Sequence, residues 1–277
     1  MDIGIPKQRR PFDYRVGLTP MGVEILTGLG HRVYVERDAG QGSGFEDERY
    51  TRAGAQIVYS PEEVYGRSQM ILSVSRPMMP EFDLLQEGQI LLGFFHFAVA
   101  HPGKIELMLK RNVTAIAYET INDDNGTLPL LIPMSEVAGK MAVQVGAHFL
   151  EKPYGGRGIL LGGVPGVPAA EVVIAGAGTV GSNAVKVAVG MGAQVTVTDR
   201  NEDRLRYMDD LYGGRIKTVI LNHYNIEQSV RNADLLIGAV LIVGAKAPKL
   251  ITEEMVKQMK PGSVIVDVSI DQGGSVE

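Results

Sequence analysis

Short apolar runs of strand length alternate along the chain with longer stretches whose apolar residues recur at helical spacing. In the first half, DIGIP reads as a strand. TPMGVEILTGLG follows as a helix, with Thr19 as N-cap, Pro20 in the first helical position and Gly30 at its end. HRVYVERDAG alternates as a strand, EDERYTRAG is a short polar-faced helix, and AQIVY is a strand. SPEEVYGR opens a helix with the same start, QMILSVS and GQILLGFFHF are strands, PGKIELMLKRN is a helix and VTAIAYE a strand. This alternation predicts an α/β class with a parallel sheet and crossovers on both faces.

A connection punctuated by Gly and Pro, DDNGTLPLLIP, leads into the longest helix, MSEVAGKMAVQVGAHFLEK. Ser135 and Glu136 stand where an N-cap and an acidic first turn belong. The domain boundary is expected near residues 128–135. PYGGRGILLGGVPGVPAA reads as a loop or short hairpin, and a second α/β unit runs from residue 171.

That second unit opens with EVVIAG, a strand, and TVGSNAVKVAVGMGA, a helix. Gly176, Gly178 and Gly181 form G-x-G-x-x-G at the junction. The first allows a tight turn, the second lets the backbone approach a pyrophosphate, and the third lets helix and strand pack closely. The helix N-terminus adds free N–H groups and a positive dipole end. QVTVTDR ends at Asp199, whose carboxylate can accept hydrogen bonds from an adenosine ribose and repels a 2′-phosphate. NAD is therefore expected over NADP, with the adjacent Arg200 softening the preference. IKTVILN, DLLIGAVLIVGAKAP and GSVIVDVSIDQGG are further strands, the second an apolar strand whose small residues at its end can let a cofactor pass over its carboxyl end, and NIEQSVRNA is a polar helix.

Composition narrows the class. The 277 residues suffice for about two domains of ~150 residues. Hydrophobic residues make up 45% and charged residues 21%, and the net charge of −5 offers no basic field for nucleic acid and weak repulsion from anionic membranes. There is no cysteine, which removes disulfides, thiolate metal sites and a Cys nucleophile, and fits a cytoplasmic setting. MDIGIPKQRR has no long apolar core of a signal peptide, and no apolar run is long enough to span a membrane. The 34 glycines follow no period and imply many tight loops.

Outside the glycine turn, chemistry has few carriers. His96 ends the run ILLGFFHF, where a half-buried, satisfied histidine is the bland alternative to an acid/base group. His31, His101, His148 and His223 are weaker candidates, and His31 is expected to face solvent. Arg15, between strand and helix in FDYRVGLTP, can clamp a carboxylate bidentately or be an ordinary loop arginine. Asp271 follows the last apolar strand, where a plain turn is the alternative. No His/Asp/Glu cluster has metal-ligand spacing.

RVGLTP, AYET, LPLLIPMSEVAGKMAVQVGAHFLEK, GGRGILLGGVPGV, GAGTVG, GAVLIVGAKAPKL and VDVSIDQGG together resemble the L-alanine dehydrogenases over nearly the whole chain. The related proton-translocating nicotinamide nucleotide transhydrogenases share the fold but usually carry Glu where this chain has Asp271. The resemblance implies two Rossmann-like parallel-sheet domains with a cleft between them: residues 1–130 for substrate and catalysis, and 131–277 for NAD. It implies reversible conversion of L-alanine, NAD and water to pyruvate, ammonium and NADH through an imine and a carbinolamine. Arg15 would hold the substrate carboxylate, with Ser75 beside it. His96 would be the acid/base group and Asp271 would assist the water or ammonia steps. Ser135, Gly176, Gly178, Thr179, Val180, Gly181, Asp199, Arg204, Val240, Leu241, Val268, Ser269 and Ile270 would line the cofactor site. The family also implies a homohexamer.

Three departures from the family stand out. SVSRP occupies the place of a KVKEP-like stretch, so Ser75 stands where the family has a substrate-contacting lysine, and Gln8 stands where it usually has Glu. Loss of a charge-assisted contact to carboxylate is worth ~1.5–3 kcal/mol. The two changes are expected to be coupled, an acid–base pair having become a neutral pair. The family also continues beyond IDQGGSVE, and its further segment is expected to complete the first domain. Two alternatives follow: a truncated or catalytically impaired NAD-binding homologue, and a transhydrogenase-like NAD(H)-binding subunit. The conjunction of Arg15, His96 and Asp271 argues against the latter.

Overall fold

The computed structural model describes residues 1–277 as two compact units, Met1–Ile121 and Asn122–Glu277. The division falls before the expected boundary, because residues 126–128 help to wall a cavity of the second unit.

In the first unit six strands, β1 (Asp2–Ile5), β2 (Arg32–Glu36), β3 (Gln56–Val58), β4 (Met70–Ser75), β5 (Ile90–Phe94) and β6 (Thr114–Ala117), form a parallel sheet in the order 3-2-1-4-5-6. The helices between them are α1 (Pro20–Gly28), α2 (Asp47–Arg52), α3 (Pro61–Arg67), the short α4 (Met79–Phe82) and α5 (Pro102–Lys110). Both Thr19 and Ser60 cap as their Ser/Thr-Pro signature predicts: Thr19 Oγ1 accepts the Gly22 N–H and Ser60 Oγ the Glu63 N–H. Ile3, Ile5, Val33 and Val35 pack under one face of the sheet, and Tyr34, Ile71 and Leu91 under the other.

The second unit repeats the plan. Helix α6 (Leu131–Phe149) precedes β7 (Glu171–Ala175), α7 (Thr179–Gly190), β8 (Gln194–Asp199), α8 (Glu202–Tyr212), β9 (Ile216–Ile220), α9 (His223–Asn232), β10 (Leu235–Gly238), α10 (Glu253–Lys257) and β11 (Val264–Asp267). The five parallel strands run β11-β10-β7-β8-β9. Along β7 the side chains alternate between two apolar layers, Val172 and Ile174 to one and Val173 and Ala175 to the other. A strand buried on both faces needs an unbroken apolar run, which VVIA supplies.

Helix α6 begins at Leu131, one turn before the expected start, so Ser135 is an interior, buried position rather than the cap. It sits near the turn after β7 because α6 and α7 approach closely: a Cβ at Gly139 would stand 2.1 Å from the Val180 carbonyl oxygen.

Candidate functional site

In both sheets the strand order reverses beside the first strand of the unit, between β1 and β4 and between β7 and β10. Ligands of open α/β sheets bind beyond the carboxyl ends of the strands at such a point. In each unit, polar groups gather there.

In the second unit, β7 ends and the chain turns through Gly176, φ 113°. A Cβ at Gly176 would meet the Ala239 carbonyl oxygen at 2.6 Å, and one at Gly181 would meet the Gly176 carbonyl oxygen at 1.8 Å. Both positions exclude a side chain by contact with the protein itself. Gly178 differs. Its nearest neighbour is Arg204 Nη1 at 3.8 Å, so a Cβ there would occupy open space. That space belongs to a cavity of about 510 Å³, within the ~300–1,000 Å³ of small-molecule sites. The turn and the start of α7 thus offer backbone approach and free N–H groups to a pyrophosphate, and the residues fit a dinucleotide.

The cavity brings together Ser135, Gly176, Gly178, Thr179, Val180, Asp199, Arg204, Val240 and Leu241 from the sequence-derived set. Gly181 lies beneath the turn. Val268, Ser269 and Ile270 stand outside the wall, on a 3-10 turn over Val268–Gln272. Ser269 is nonetheless tied to the wall, since its buried hydroxyl donates to the Val240 carbonyl oxygen at 2.7 Å. Asp271, on the same turn, is exposed.

Asp199 is 8% exposed. Its Oδ2 accepts the Ala177 N–H at 2.7 Å and its Oδ1 the Asn201 N–H at 2.8 Å. The carboxylate therefore holds the glycine turn as well as facing the cavity. Arg204 Nη1 stands 3.7 Å from Oδ2. Thr127, Ile132, Leu221, Ile242 and Pro248 also wall the cavity. Their signal is weak, because each comes from a loop or helix start with no motif of its own.

In the first unit the loop after β1 folds back over the end of β4. Arg15 Nε and Nη2 donate to the two carboxylate oxygens of Asp13 at 2.8 and 2.9 Å, and Nη2 also reaches Ser75 Oγ at 3.3 Å. Ser75, 5% exposed, donates its hydroxyl to Asp13 Oδ2 at 2.8 Å. Burial pushes the Asp13 carboxyl up, but the hydrogen bonds from Arg15 and Ser75 outweigh it and hold it below its ordinary range. Gln8 accepts the Ser75 N–H at 3.0 Å and donates to Ser73 Oγ at 3.1 Å. Gln8 and Ser75 are thus in contact, through backbone rather than hydroxyl, and Ser73 completes a neutral ladder. No motif in the sequence marks Asp13 or Ser73.

His96 lies beyond the end of β5 in the left-handed region, φ 49°, an unusual conformation for a residue with a Cβ. Glu119 fixes it there. That buried carboxylate, 5% exposed, accepts the His96 N–H at 2.6 Å and the Phe95 N–H at 3.2 Å. The ring is half-buried, and its Nδ1 is buried without a hydrogen-bond partner. His96 thus combines a left-handed backbone with a buried imidazole nitrogen that has no partner in the fold. His31, as a further difference, is half-buried and takes the N-terminal amine at 3.3 Å. No helix of the structure is long and apolar enough to cross a membrane.

Residues 4–138 match the family model described as "Alanine dehydrogenase/PNT, N-terminal domain", and residues 142–277 match "Alanine dehydrogenase/PNT, C-terminal domain". The chain is 57% identical over 277 residues to the alanine dehydrogenase of Bacillus subtilis, covering all of this chain and 72% of that one. It is 54% identical to the alanine dehydrogenase of Methanococcus maripaludis, again over the whole chain and 74% of the relative. Among solved structures, an L-alanine dehydrogenase superposes with a TM-score of 0.89 at 49% identity, covering all of this chain and 76% of the other. A transhydrogenase from Sinorhizobium meliloti gives 0.81 at 28% identity, covering 100% and 81%.

Proposed function

The chain belongs to the alanine dehydrogenase/PNT family, and on that basis we propose that it oxidatively deaminates L-alanine with NAD. L-alanine, water and NAD⁺ give pyruvate, ammonium, NADH and a proton, reversibly. The observation that carries the reading is the bare face of Gly178, which opens the turn after β7 onto a cavity walled by Asp199 on one side and Val240 on the other. That is the local geometry of a dinucleotide site, within a chain that matches alanine dehydrogenases from end to end.

Gly176, Gly178, Thr179 and Val180 would receive the pyrophosphate, and Asp199 the adenosine ribose. Ser135, Val240 and Leu241 would bound the rest of the nucleotide, with Ser269 bracing Val240. When bound, NAD supplies the acceptor for the substrate's Cα hydride. In the first unit, Arg15 already presents the two parallel N–H bonds that a carboxylate takes, made here to Asp13. We assign it the substrate carboxylate. His96 takes the proton that must leave nitrogen or oxygen as the hydride departs, and Glu119 holds the histidine backbone for that task. Asp271 assists the water and ammonia steps. A cytoplasmic location and a homohexamer are part of the same proposal, and sedimentation of the intact protein tests the assembly.

A second reading, nucleotide binding with impaired turnover, is not favoured by the comparisons and would require Asp13 to keep its hydrogen bonds from Arg15 and Ser75 against the substrate. One experiment separates the two. The protein is mixed with NAD and L-alanine at alkaline pH and followed at the NADH absorbance band, beside a fluorescence titration with NADH. Turnover and binding are both expected. Binding without turnover selects the second reading, and absence of both discards the two together.

A further inference from the structure

We propose that the adenosine end of this cavity also accepts a 2′-phosphate, gripped by Arg200 and Arg204, so that the chain binds NADP(H) as well as NAD(H). The inference rests on the dinucleotide reading above and adds a ligand class to it. Three charged residues line the cavity, Asp199, Arg200 and Arg204, leaving one positive charge in excess.

The acid at the end of β8 ordinarily excludes a 2′-phosphate by repulsion. Here both of its oxygens are already engaged. Each oxygen of Asp199 already accepts a backbone N–H, from Ala177 and Asn201. Arg204 stands within ion-pair distance of the same carboxylate. The opposite charge of that guanidinium partly offsets the carboxylate's field. The two acids of the next turn, Glu202 and Asp203, do not line the cavity and are paired with Arg206 at 3.0 and 2.8 Å.

The two arginines are available. Arg200 is exposed, lines the cavity and makes no ion pair or side-chain hydrogen bond within the fold. Arg204 has a side chain 57% exposed, and its contact with Asp199, at 3.7 Å, is an ion pair too long for a hydrogen bond. Its guanidinium donors therefore remain to be filled. A 2′-phosphate carries about −1.5 to −2 charges near neutrality, with three acceptor oxygens. Guanidinium forks match that geometry and charge. The competing role for Arg200, stacking on the adenine, is indifferent to the 2′-phosphate and helps both nucleotides equally.

The test is a fluorescence titration of the intact protein with NADH and with NADPH, no amino acid being present, repeated on Arg200→Leu and Arg204→Gln. The wild type is expected to bind NADPH within about tenfold of NADH. In Arg200→Leu the NADPH-to-NADH affinity ratio is expected to fall at least about fivefold. Raising salt from about 50 to about 300 mM should lower the wild-type ratio, because the extra contact is ionic and exposed. Circular dichroism confirms that both variants are folded, and displacement of bound NADH by 2′,5′-ADP gives a second readout. A ratio that falls less than this in Arg200→Leu, or equal losses for both nucleotides, overturns the inference while NADH binding leaves the parent reading intact. No binding of NADH at all sinks the parent reading and this one with it.

Discussion

Asp13 is the acceptor on which Arg15 and Ser75 converge. Its carboxyl is held below the ordinary range, so its pairing stabilises the fold fully above the unfolded value of about 3.9 and is lost as pH falls through the lower folded one. Asp13→Asn is expected to destabilise the protein by about 1–2 kcal/mol. In urea titrations that deficit should hold steady from about pH 8 to about pH 5 and shrink below about pH 4. A deficit growing toward acid pH contradicts the assignment. Ser75 and Gln8 invite a paired test. A lysine at 75 lands among groups arranged for neutral partners, because Gln8 accepts the Ser75 N–H and donates to Ser73. Ser75→Lys alone should leave alanine turnover unimproved, and Ser75→Lys with Gln8→Glu should raise it several-fold, read as kcat/KM. A large gain from the single change refutes the coupling. Single residues such as Arg15, His96 and Asp199 stand out in the sequence by their chemical character. Asp13 and Glu119, which hold Arg15 and His96, and Ser73, which accepts from Gln8, do not, since a polar side chain in a loop or strand carries no local sign of what lies across the fold.

Helix α8 shows which cues define a segment. Only Leu205 and Met208 are buried along it, too few for a visible apolar stripe, so hydrophobic periodicity passes over it. Its ends are marked instead. Asn201 accepts the N–H groups of Asp203 and Arg204, Glu202 and Asp203 fill the first turn, and Gly213 closes the helix at φ 55°. Asn201→Ala should cost about 1 kcal/mol in denaturant unfolding, and it should weaken nucleotide binding modestly because the frayed turn carries Arg204. A variant as stable as the wild type would remove the cap from the account. The strands were the most legible elements, since parallel sheets buried on both faces demand continuous apolar runs. DLLIGAVLIVGAKAP misleads for a physical reason: the ladders of β10 with β7 and β11 end at Gly238, and the apolar residues beyond it turn to wall the cavity. Ser135 was displaced from helix start to interior because Leu128 and Leu131, not a polar cap, begin α6.

Across the chain, the sequence made the two-sheet plan and the nucleotide turn readable, through alternation and through glycines in context. The dividing point and the loop contribution of residues 126–128 to the cavity depended on contacts that no local pattern announces. NADH at 100 times its dissociation constant is expected to stabilise the protein by about 2.7 kcal/mol, seen as a higher melting temperature. Hydrogen exchange should slow at residues 126–135, 176–181 and 239–243, the cavity's walls, and protection confined to other segments would move the site elsewhere. Every wall of that cavity is drawn from residues 126–250, whereas the arrangement around Arg15 draws on residues 8, 13, 73 and 75. Different stretches of gene encode the two clusters, so substitutions around Arg15 can accumulate without touching a residue of the cavity wall.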